Sequence, residues 1–273
     1  MIYIVVVLVS LAGLMGCQGA ENYNDLSGPL FVGNYAPEQI EDNGCIKIIT
    51  WNIKFAENVT QALAELESVP ELQEVDFLLL QEMDETAVET MAQTLAYNHV
   101  YFPASLHPQN GKNFGNAILS KWPLSNPQKL LLPHENPTNA QTRIATKATA
   151  AMGGREILLY SVHTETVWLG EEKRLQQVDV IVNDIADENT WVIVGGDFNT
   201  VQEDEVTAVT ERFATIDLRR VSVGAEPTVK RFGLEFSADH IFARDGTLSD
   251  NGVWSDTEAS DHYPVWVVLD LGD

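Results

Sequence analysis

Short apolar runs, separated by polar segments, recur along the chain after residue 45. The runs are continuous and many are rich in β-branched residues, which is typical of buried strands. They predict strands at residues 46–53, 76–81, 114–120, 143–150, 156–162, 191–194, 239–242 and 263–271. These strands would supply most of the core.

A second pattern, with apolar residues spaced as on one face of a helix, predicts amphipathic helices. It occurs at residues 57–67, 88–95 and 171–187. Two segments follow neither pattern. Residues 122–139 are rich in Pro and Asn and predict a loop, whereas residues 201–236 are acidic and irregular apart from one short helix.

The predicted strands and helices interleave without strict alternation. We therefore expect an α/β (α+β) protein with a large sheet core, and not a doubly wound dinucleotide-binding fold. Neither G-x-G-x-x-G nor G-x-x-x-x-G-K-[ST] occurs, which removes the usual nucleotide-binding hypotheses. The chain has 273 residues, 45% of them hydrophobic, and no linker divides it. Residues 45–273 are predicted to form one domain.

The segment of residues 191–200, WVIVGGDFNT, combines a strand pattern with polar residues. Gly195 and Gly196 are expected to let the backbone turn tightly after the strand, so that Asp197 and Asn199 present their side chains on one face. A rigid sheet could hold this carboxylate and amide around one water or phosphate oxygen. The same residues are ordinary turn formers, so a site and a simple turn both stay open.

Polar residues recur where the predicted strands end, which indicates one rim where several strands converge. They are Asn52, Glu82, His163, Asp197, Asn199, Asp239, Asp261 and His262. Carboxylate and amide oxygens suit hard cations, so Mg²⁺ is expected, with Mn²⁺ or Ca²⁺ as alternatives. Such a cation would bind a phosphate ester. A Ser-His-Asp hydrolase is disfavoured because no G-x-S-x-G motif is present.

The chain is strongly acidic. Lys and Arg total 16 and Asp and Glu total 40, which gives a formal net charge of -24 at pH 7. Such a surface repels polyanions at long range and lacks the basic patch of a DNA-binding protein. It equally suits a solvated surface in a salty habitat, and composition alone leaves both interpretations open.

The amino-terminal segment has a separate character. Residues 2–14 are apolar but too short to span a bilayer comfortably, and they lead into Leu14-Met15-Gly16-Cys17. Residues 1–17 thus resemble a bacterial lipoprotein signal in which Cys17 carries the lipid, with an ordinary secretory signal or an uncleaved anchor as the alternative. Each version predicts an extracytoplasmic protein, membrane-anchored, periplasmic or secreted. Residues 18–44 predict a flexible tether.

A series of short motifs runs through residues 46–271. They are Thr50-Trp51-Asn52, Leu80-Gln81-Glu82, Gly115-Asn116-Ala117-Ile118-Leu119-Ser120, Arg143, His163, Gly195-Gly196-Asp197-Phe198-Asn199, Asp239-His240-Ile241-Phe242 and Ser260-Asp261-His262. In this order they resemble the motifs of the endonuclease/exonuclease/phosphatase superfamily of deoxyribonuclease-like, metal-dependent phosphoesterases. The resemblance implies a four-layer αββα sandwich, with two mixed sheets face to face, helices outside and a metal site at one rim.

The resemblance also implies roles at the metal and the attacking water. Glu82 would be the principal Mg²⁺ ligand, with Asn52 and Asp261 close to the metal. Asp197 and Asn199 would position or deprotonate the water.

Further roles concern the phosphate. His262, paired with Asp239, would bind the phosphate or act as the base, and His163 would donate to the phosphate oxygens. Asn116 and Arg143 are candidates for substrate binding. Whether Asp197 or His262 takes the proton stays open at this point.

The first functional hypothesis is an extracytoplasmic metal-dependent hydrolase that cleaves a phosphodiester or phosphomonoester by in-line attack of water. The acidic charge favours a small or lipid phosphoester, and a secreted or surface endonuclease acting on DNA or RNA is the alternative. A second alternative is a non-catalytic surface lipoprotein that uses the fold as a binding module. We expect a monomer attached to the membrane through its N-terminal lipid.

Overall fold

The computed structural model describes residues 19–108, 110–231 and 233–272. Residues 1–18, which include Cys17 and the predicted signal peptide, lie outside the described residues. Within the described ranges, no helix is both long and apolar enough to cross a membrane.

Strands and helices interleave along the chain, as the apolar pattern predicts. The strands in the described ranges are β1 (Glu21–Asn22), β2 (Phe31–Gly33), β3 (Cys45–Asn52), β4 (Phe77–Met83), β5 (Asn98–Leu106), β6 (Asn113–Ser120), β7 (Leu124–Leu132), β8 (Arg143–Met152), β9 (Arg155–His163), β10 (Trp191–Asp197), β11 (Arg219–Arg220), β12 (Val229–Arg231), β13 (Leu234–Phe236), β14 (Asp239–Arg244), β15 (Thr247–Val253) and β16 (Val265–Asp270). The α-helices there are α1 (Val59–Ser68), α2 (Glu85–Leu95), α3 (Glu171–Ile185) and α4 (Glu203–Ala214).

Two large sheets form the centre of the fold. Sheet A has the strand order β1-β5-β6-β4-β3-β16-β15, with β2 also paired to β5, and sheet B has the order β11-β14-β10-β9-β8-β7. Both sheets are mixed. β3 runs parallel to β4 and β9 runs parallel to β10, while their other neighbours are antiparallel. A separate hairpin joins β12 to β13.

Side chains alternate along the central strands between two apolar layers. In β3, Ile48 packs in the cluster between the two sheets, whereas Ile49 and Trp51 pack in the cluster that includes α1 and α2. On the outer face of sheet B, Val192 packs with residues of α3 and α4. The layers are therefore helices, sheet, sheet and helices, and the predicted four-layer αββα sandwich is confirmed.

The two glycines of β10 remain within the strand, so the prediction that they form the turn is wrong. Gly195 pairs with Ile241 and Gly196 with Val162 in the regular ladder. A Cβ atom on Gly195 would lie 2.7 Å from Cδ1 of Leu79 in sheet A, and one on Gly196 would lie 2.0 Å from the Val162 carbonyl oxygen. Glycine is thus needed for close approach, and the chain turns only after Asp197.

The segment of residues 122–139 contains strand β7, so its prediction as a loop is wrong. β7 lies at the edge of sheet B, and its ladder with β8 is interrupted between Ser125 and Gln128. Pro127 falls in that interruption, where it need not donate to the ladder. Proline therefore marks an irregular edge strand here and not a loop.

Residues 19–44, for which a flexible tether is predicted, run in part along the domain. β1 and β2 pair with β5 of sheet A. Lys129 of β7, in sheet B, donates to the carbonyl of Tyr23 at 2.8 Å. This part of the segment therefore forms the edge of sheet A and also contacts sheet B.

Candidate active site

Four predicted site residues lie where two parallel strand pairs end. Asn52 ends β3, Glu82 is the penultimate residue of β4, His163 ends β9 and Asp197 ends β10. The carboxyl ends of parallel strands meet at one edge of a sheet, and the two sheets face each other, so these side chains reach one rim. Asp239 opens β14 and pairs with Asp197 across sheet B.

Asn52 joins the two carboxylates of the rim. Its Nδ2 donates to Glu82 Oε1 at 3.1 Å and to Asp197 Oδ2 at 3.0 Å. Glu82 lies at an irregularity of the β4–β6 ladder with φ of 59°, and its Oε2 accepts the backbone N–H of Phe55 at 3.1 Å. Because Glu82 belongs to sheet A and Asp197 to sheet B, Asn52 links the two sheets at the site.

His262 lies next to Asp197, in the segment that precedes β16. Its Nδ1 is 2.9 Å from Asp239 Oδ2, and its Nε2 is 3.8 Å from Asp197 Oδ2. The hydroxyl of Thr228 donates to Asp239 Oδ2 at 2.9 Å. Burial alone would lower the pKa of His262, but the carboxylates of Asp239 and Asp197 raise it to about 10. His262 is therefore an imidazolium at neutral pH.

His163 approaches the same carboxylate oxygen and stays neutral. Its Nε2 is 3.4 Å from Asp197 Oδ2. Its Nδ1 is 3.3 Å from Nη1 of Arg143, whose Nε donates to Glu165 Oε2 at 3.2 Å. Burial, followed by the positive charges of Arg143 and His262, lowers the pKa of His163 well below its usual range.

Asp197 is buried and more basic than an ordinary aspartate. Burial raises the pKa of Asp197 to about 6, against the opposing charge of His262, and the Asp239 carboxylate adds to the rise. Its Oδ1 accepts the backbone N–H of Asn199 at 2.8 Å. The amide of Asn199 donates in turn to the Thr164 carbonyl at 3.0 Å. A carboxylate of this pKa is ionised at neutral pH and can accept a proton there.

Two sets of residues offer ligand atoms for a cation. In the first, atoms of Asp197, Asp239 and His262 lie within 4.8 Å of one another. Nδ1 of His262 is engaged with Asp239 at 2.9 Å, and the Thr228 hydroxyl donates to the same carboxylate oxygen, so both groups already have partners within the protein. Asp239 and His262 are therefore better described as a hydrogen-bonded pair that lies beside Asp197.

The second set is the predicted ligands Glu82, Asn52 and Asp261, whose carboxylate and amide oxygens are of the type that a hard cation prefers. Burial raises the pKa of Glu82, although the hydrogen bond from Asn52 opposes the rise, and a divalent cation would favour the ionised form. Glu82 and Asp261 both stay partly exposed at the rim. Ser260 donates to the Asn52 carbonyl at 2.7 Å, which holds the segment of Asp261 against the end of β3.

Comparison with known proteins identifies the family of this chain. The model of the Endonuclease/Exonuclease/phosphatase family matches residues 49–262. The chain belongs to the endonuclease/exonuclease/phosphatase family. Enzymes of this family are divalent-metal-dependent hydrolases of phosphoesters, including nucleic acids.

Individual relatives are distant but cover most of the chain. A UPF0294 protein of Vibrio parahaemolyticus is 26% identical over 263 residues, which are 93% of this chain and 87% of the relative. D. rerio TDP2 complexed with single strand DNA product has a TM-score of 0.65 at 17% identity, over 83% of this chain and 99% of that one. A mannosyl-6-phosphatase of Bacteroides thetaiotaomicron has a TM-score of 0.64 at 17% identity, over 82% of this chain and 99% of that one.

In this member of the family, the two predicted substrate-binding residues make contacts within the protein. The buried amide of Asn116 donates to the carbonyls of Ile144 and Ser161, at 2.8 and 3.1 Å. Because β6 belongs to sheet A and β8 and β9 to sheet B, Asn116 bridges the sheets. Arg143 is buried against Glu165. Contact of either residue with a substrate stays a prediction.

Sequence reasoning missed Glu165 and Thr228, each of which holds a partner of a site histidine. Glu165 pairs with Arg143, and Thr228 hydrogen-bonds Asp239. Glu165 follows His163 by two residues in the family motif region, and that proximity was the one available signal. Thr228 lies in the irregular acidic segment, where no pattern distinguishes it.

Proposed function

We propose that the protein is a Mg²⁺-dependent phosphoesterase that hydrolyses a phosphodiester or phosphomonoester by in-line attack of water. The surroundings of one oxygen carry this proposal. Asp197 Oδ2 accepts a hydrogen bond from Asn52, and the Nε2 atoms of His163 and His262 lie 3.4 and 3.8 Å from it. A basic oxygen, a neutral N–H donor and a cationic N–H donor thus converge, as activation of water beside a phosphate requires.

Asp197 is the base in this mechanism. The pKa of His262, about 10, keeps that ring protonated at neutral pH, whereas the pKa of Asp197, about 6, leaves the carboxylate free to accept a proton. His262 donates its Nε2–H to a phosphate or leaving-group oxygen. The backbone N–H of Asn199 orients the Asp197 carboxylate.

Glu82, Asn52 and Asp261 would hold the cation. When bound, a divalent cation supplies positive charge to the phosphate oxygens. Mg²⁺ is proposed because the donors are carboxylate and amide oxygens, a preference that Mn²⁺ and Ca²⁺ share. Near Glu82 the cation would also offset the repulsion between the carboxylates of Glu82 and Asp197.

The substrate and the location are the finer parts of the proposal. The net charge of -24 supports a small or lipid phosphoester over a long polyanion, as does the structural likeness to a mannosyl-6-phosphatase. The likeness to a TDP2 structure with single strand DNA product supports a nuclease as the second candidate. An extracytoplasmic, lipid-anchored location is proposed from the sequence of residues 2–17 alone.

The test is hydrolysis by the full-length protein with Mg²⁺ or with EDTA. The panel holds mannose 6-phosphate, bis-p-nitrophenyl phosphate, sphingomyelin vesicles, single-stranded DNA and plasmid DNA. Glu82→Gln removes the proposed ligand charge at constant size, and Glu67→Gln on the exposed face of α1 is the matched control.

We expect metal-dependent turnover that survives in Glu67→Gln and falls by about 100-fold or more in Glu82→Gln. Cleavage of DNA alone, falling steeply with added salt, would favour the nuclease. Inactivity of the folded, Mg²⁺-loaded protein on every substrate would contradict the phosphoesterase proposal.

A further inference from the structure

The contact between Arg143 and His163 fixes which ring nitrogen of His163 carries the proton. Nη1 of Arg143 lies 3.3 Å from Nδ1 of His163. A guanidinium has five N–H donors, no acceptor, and does not deprotonate in proteins. Nδ1 must therefore accept, and the single proton of the neutral ring lies on Nε2.

Glu165 holds the guanidinium in place for this contact. Nε of Arg143 donates to Glu165 Oε2 at 3.2 Å and Nη2 to Oε1 at 3.4 Å, which is a bidentate pair. The Glu165 carboxylate is fully buried, and its Oε1 also accepts from Asn136 Nδ2 and the Thr166 backbone N–H, both at 2.8 Å. With both carboxylate oxygens engaged, Glu165 and Arg143 have little freedom to rotate.

The flat face of the Arg143 guanidinium also packs against a neighbouring side chain. It lies over the ring of Phe114, 5.1 Å from the centroid, and the same ring is 5.8 Å from the His163 ring. Phe114 is buried, as are Arg143 and His163. The packing therefore holds the guanidinium towards Nδ1 of His163.

The other side of the His163 ring faces the reacting groups. Its Nε2 lies 3.4 Å from Asp197 Oδ2, the oxygen proposed to take the proton from water. With the proton on Nε2, His163 presents an N–H to that oxygen or to a phosphate oxygen beside it. With the proton on Nδ1, the ring would present a lone pair towards a carboxylate, and the Arg143 contact would bring two donors together.

We propose that Arg143 and Glu165 are positioning residues that hold His163 as the neutral Nε2–H tautomer, so that His163 acts as an N–H donor and not as a base. The catalytic relevance of this tautomer rests on the proposed phosphoesterase function. The tautomer itself is a property of the protein without substrate. Arg143 would thus act on the substrate through His163. The sequence, by contrast, predicts that Arg143 binds the substrate directly.

The test is ¹⁵N NMR of the histidine rings in the labelled full-length protein, with His163 assigned by loss of its signals in His163→Gln. We expect Nδ1 to show the shift of an unprotonated ring nitrogen and Nε2 that of a protonated one, both unchanged from about pH 5.5 to about pH 8.5. Arg143→Met should move both signals towards a mixture of tautomers. Arg143→Lys keeps a donor and should retain more of the wild-type signature than Arg143→Met.

A second buried arginine provides the matched control. Arg174 pairs with Glu205 between α3 and α4, and its residue is 5% exposed against 6% for Arg143. Arg174→Met removes an equally buried guanidinium and should leave the His163 signals in place. A protonated Nδ1 in the wild-type protein would overturn the proposal. So would a folded Arg143→Met variant with wild-type His163 signals.

Kinetics separate the two roles of Arg143. A positioning role predicts that Arg143→Met lowers kcat by about 10-fold or more with little change in KM, because the lost interaction matters in the transition state. Direct substrate binding predicts a rise in KM instead, which would count against the proposal. The spectra need no substrate. If the phosphoesterase proposal fails, no turnover will be measured, but the NMR spectra will still report the tautomer of His163.

Discussion

His163 and His262 place their Nε2 atoms 3.4 and 3.8 Å from the same oxygen of Asp197, yet their pKa values move in opposite directions. Both rings are largely buried, with side-chain exposures of 3% and 13%. Burial lowers the pKa of each ring, so burial does not distinguish them. The partner on the far nitrogen does: Nδ1 of His163 faces the Arg143 cation, and Nδ1 of His262 faces the Asp239 carboxylate.

This contrast gives one carboxylate two different neighbours. A charged His262 lowers the pKa of Asp197 and offers a strong donor for an anion, whereas a neutral His163 offers an N–H without adding charge. Two cations beside Asp197 would make it a weaker base. The opposite charge states thus keep Asp197 basic while two N–H groups remain available for a phosphate.

The largest expected effect comes from removing the carboxylate that the two histidines share. Asp197→Asn keeps the size of the side chain and one acceptor oxygen but cannot take a proton. We expect kcat to fall by about 1,000-fold, within the range typical of a lost general base, while the protein stays folded by circular dichroism. Asp217→Asn, at an exposed turn position, is the control. A loss smaller than about 10-fold in Asp197→Asn would show that another group is the base.

A smaller effect is expected when His262 loses the partner that distinguishes it from His163. Asp239→Asn removes the negative charge beside Nδ1, so the pKa of His262 should fall towards that of a buried histidine and kcat should fall by about 100-fold. The change should also appear in stability measured without metal.

The sign of that stability effect follows from the pKa of His262, which folding raises from 6.5 to about 10. The resulting stabilisation is fully present below the unfolded pKa and is lost as pH rises through the folded pKa. Between these two values the free energy of unfolding of Asp239→Asn should therefore depend less on pH than that of the wild type. Parallel pH profiles from denaturant unfolding would contradict this explanation of the His262 shift.

The smallest effect is expected at Thr228, which orients Asp239 and not the His262 ring itself. Its hydroxyl accepts the backbone N–H groups of Ala238 and Asp239, both at 3.0 Å, in addition to donating to Asp239. Thr228→Val should cost about 2 kcal/mol of stability through the unpaired N–H groups and lower kcat by about 10-fold or less. Thr207→Val on the exposed face of α4 is the control. A kcat loss as large as that of Asp239→Asn would assign Thr228 a direct part in the reaction.

The rim itself was predictable because polar residues follow apolar strands. Asn52, Glu82, His163 and Asp197 each end a run whose character is evident in the sequence, and parallel strands bring such ends together. Helices α1, α2 and α3 were predictable for a similar reason, since their apolar faces have a clear period. Strand β7 could not be predicted, because a proline in the sequence is equally compatible with an edge strand and with a loop.

The difference between the two histidines could not be derived from local sequence. The partner that sets each charge lies 20 residues away for His163 and 23 residues away for His262. Pairing of β8 with β9 in sheet B brings Arg143 to His163, whereas Asp239 of β14 meets His262 from the segment that precedes β16 of sheet A. Both are tertiary contacts. The same holds for Gly195 and Gly196, whose need for glycine comes from Leu79 of sheet A and from the Val162 carbonyl.

The central claim is that the two rings beside Asp197 carry opposite charge at neutral pH. It is tested most directly by a ¹⁵N NMR pH titration of both rings in the metal-free full-length protein, with His163→Gln and His262→Gln for assignment. At about pH 8 we expect His262 with both ring nitrogens protonated and His163 with one. Two rings that titrate together near the ordinary histidine pKa would contradict the account.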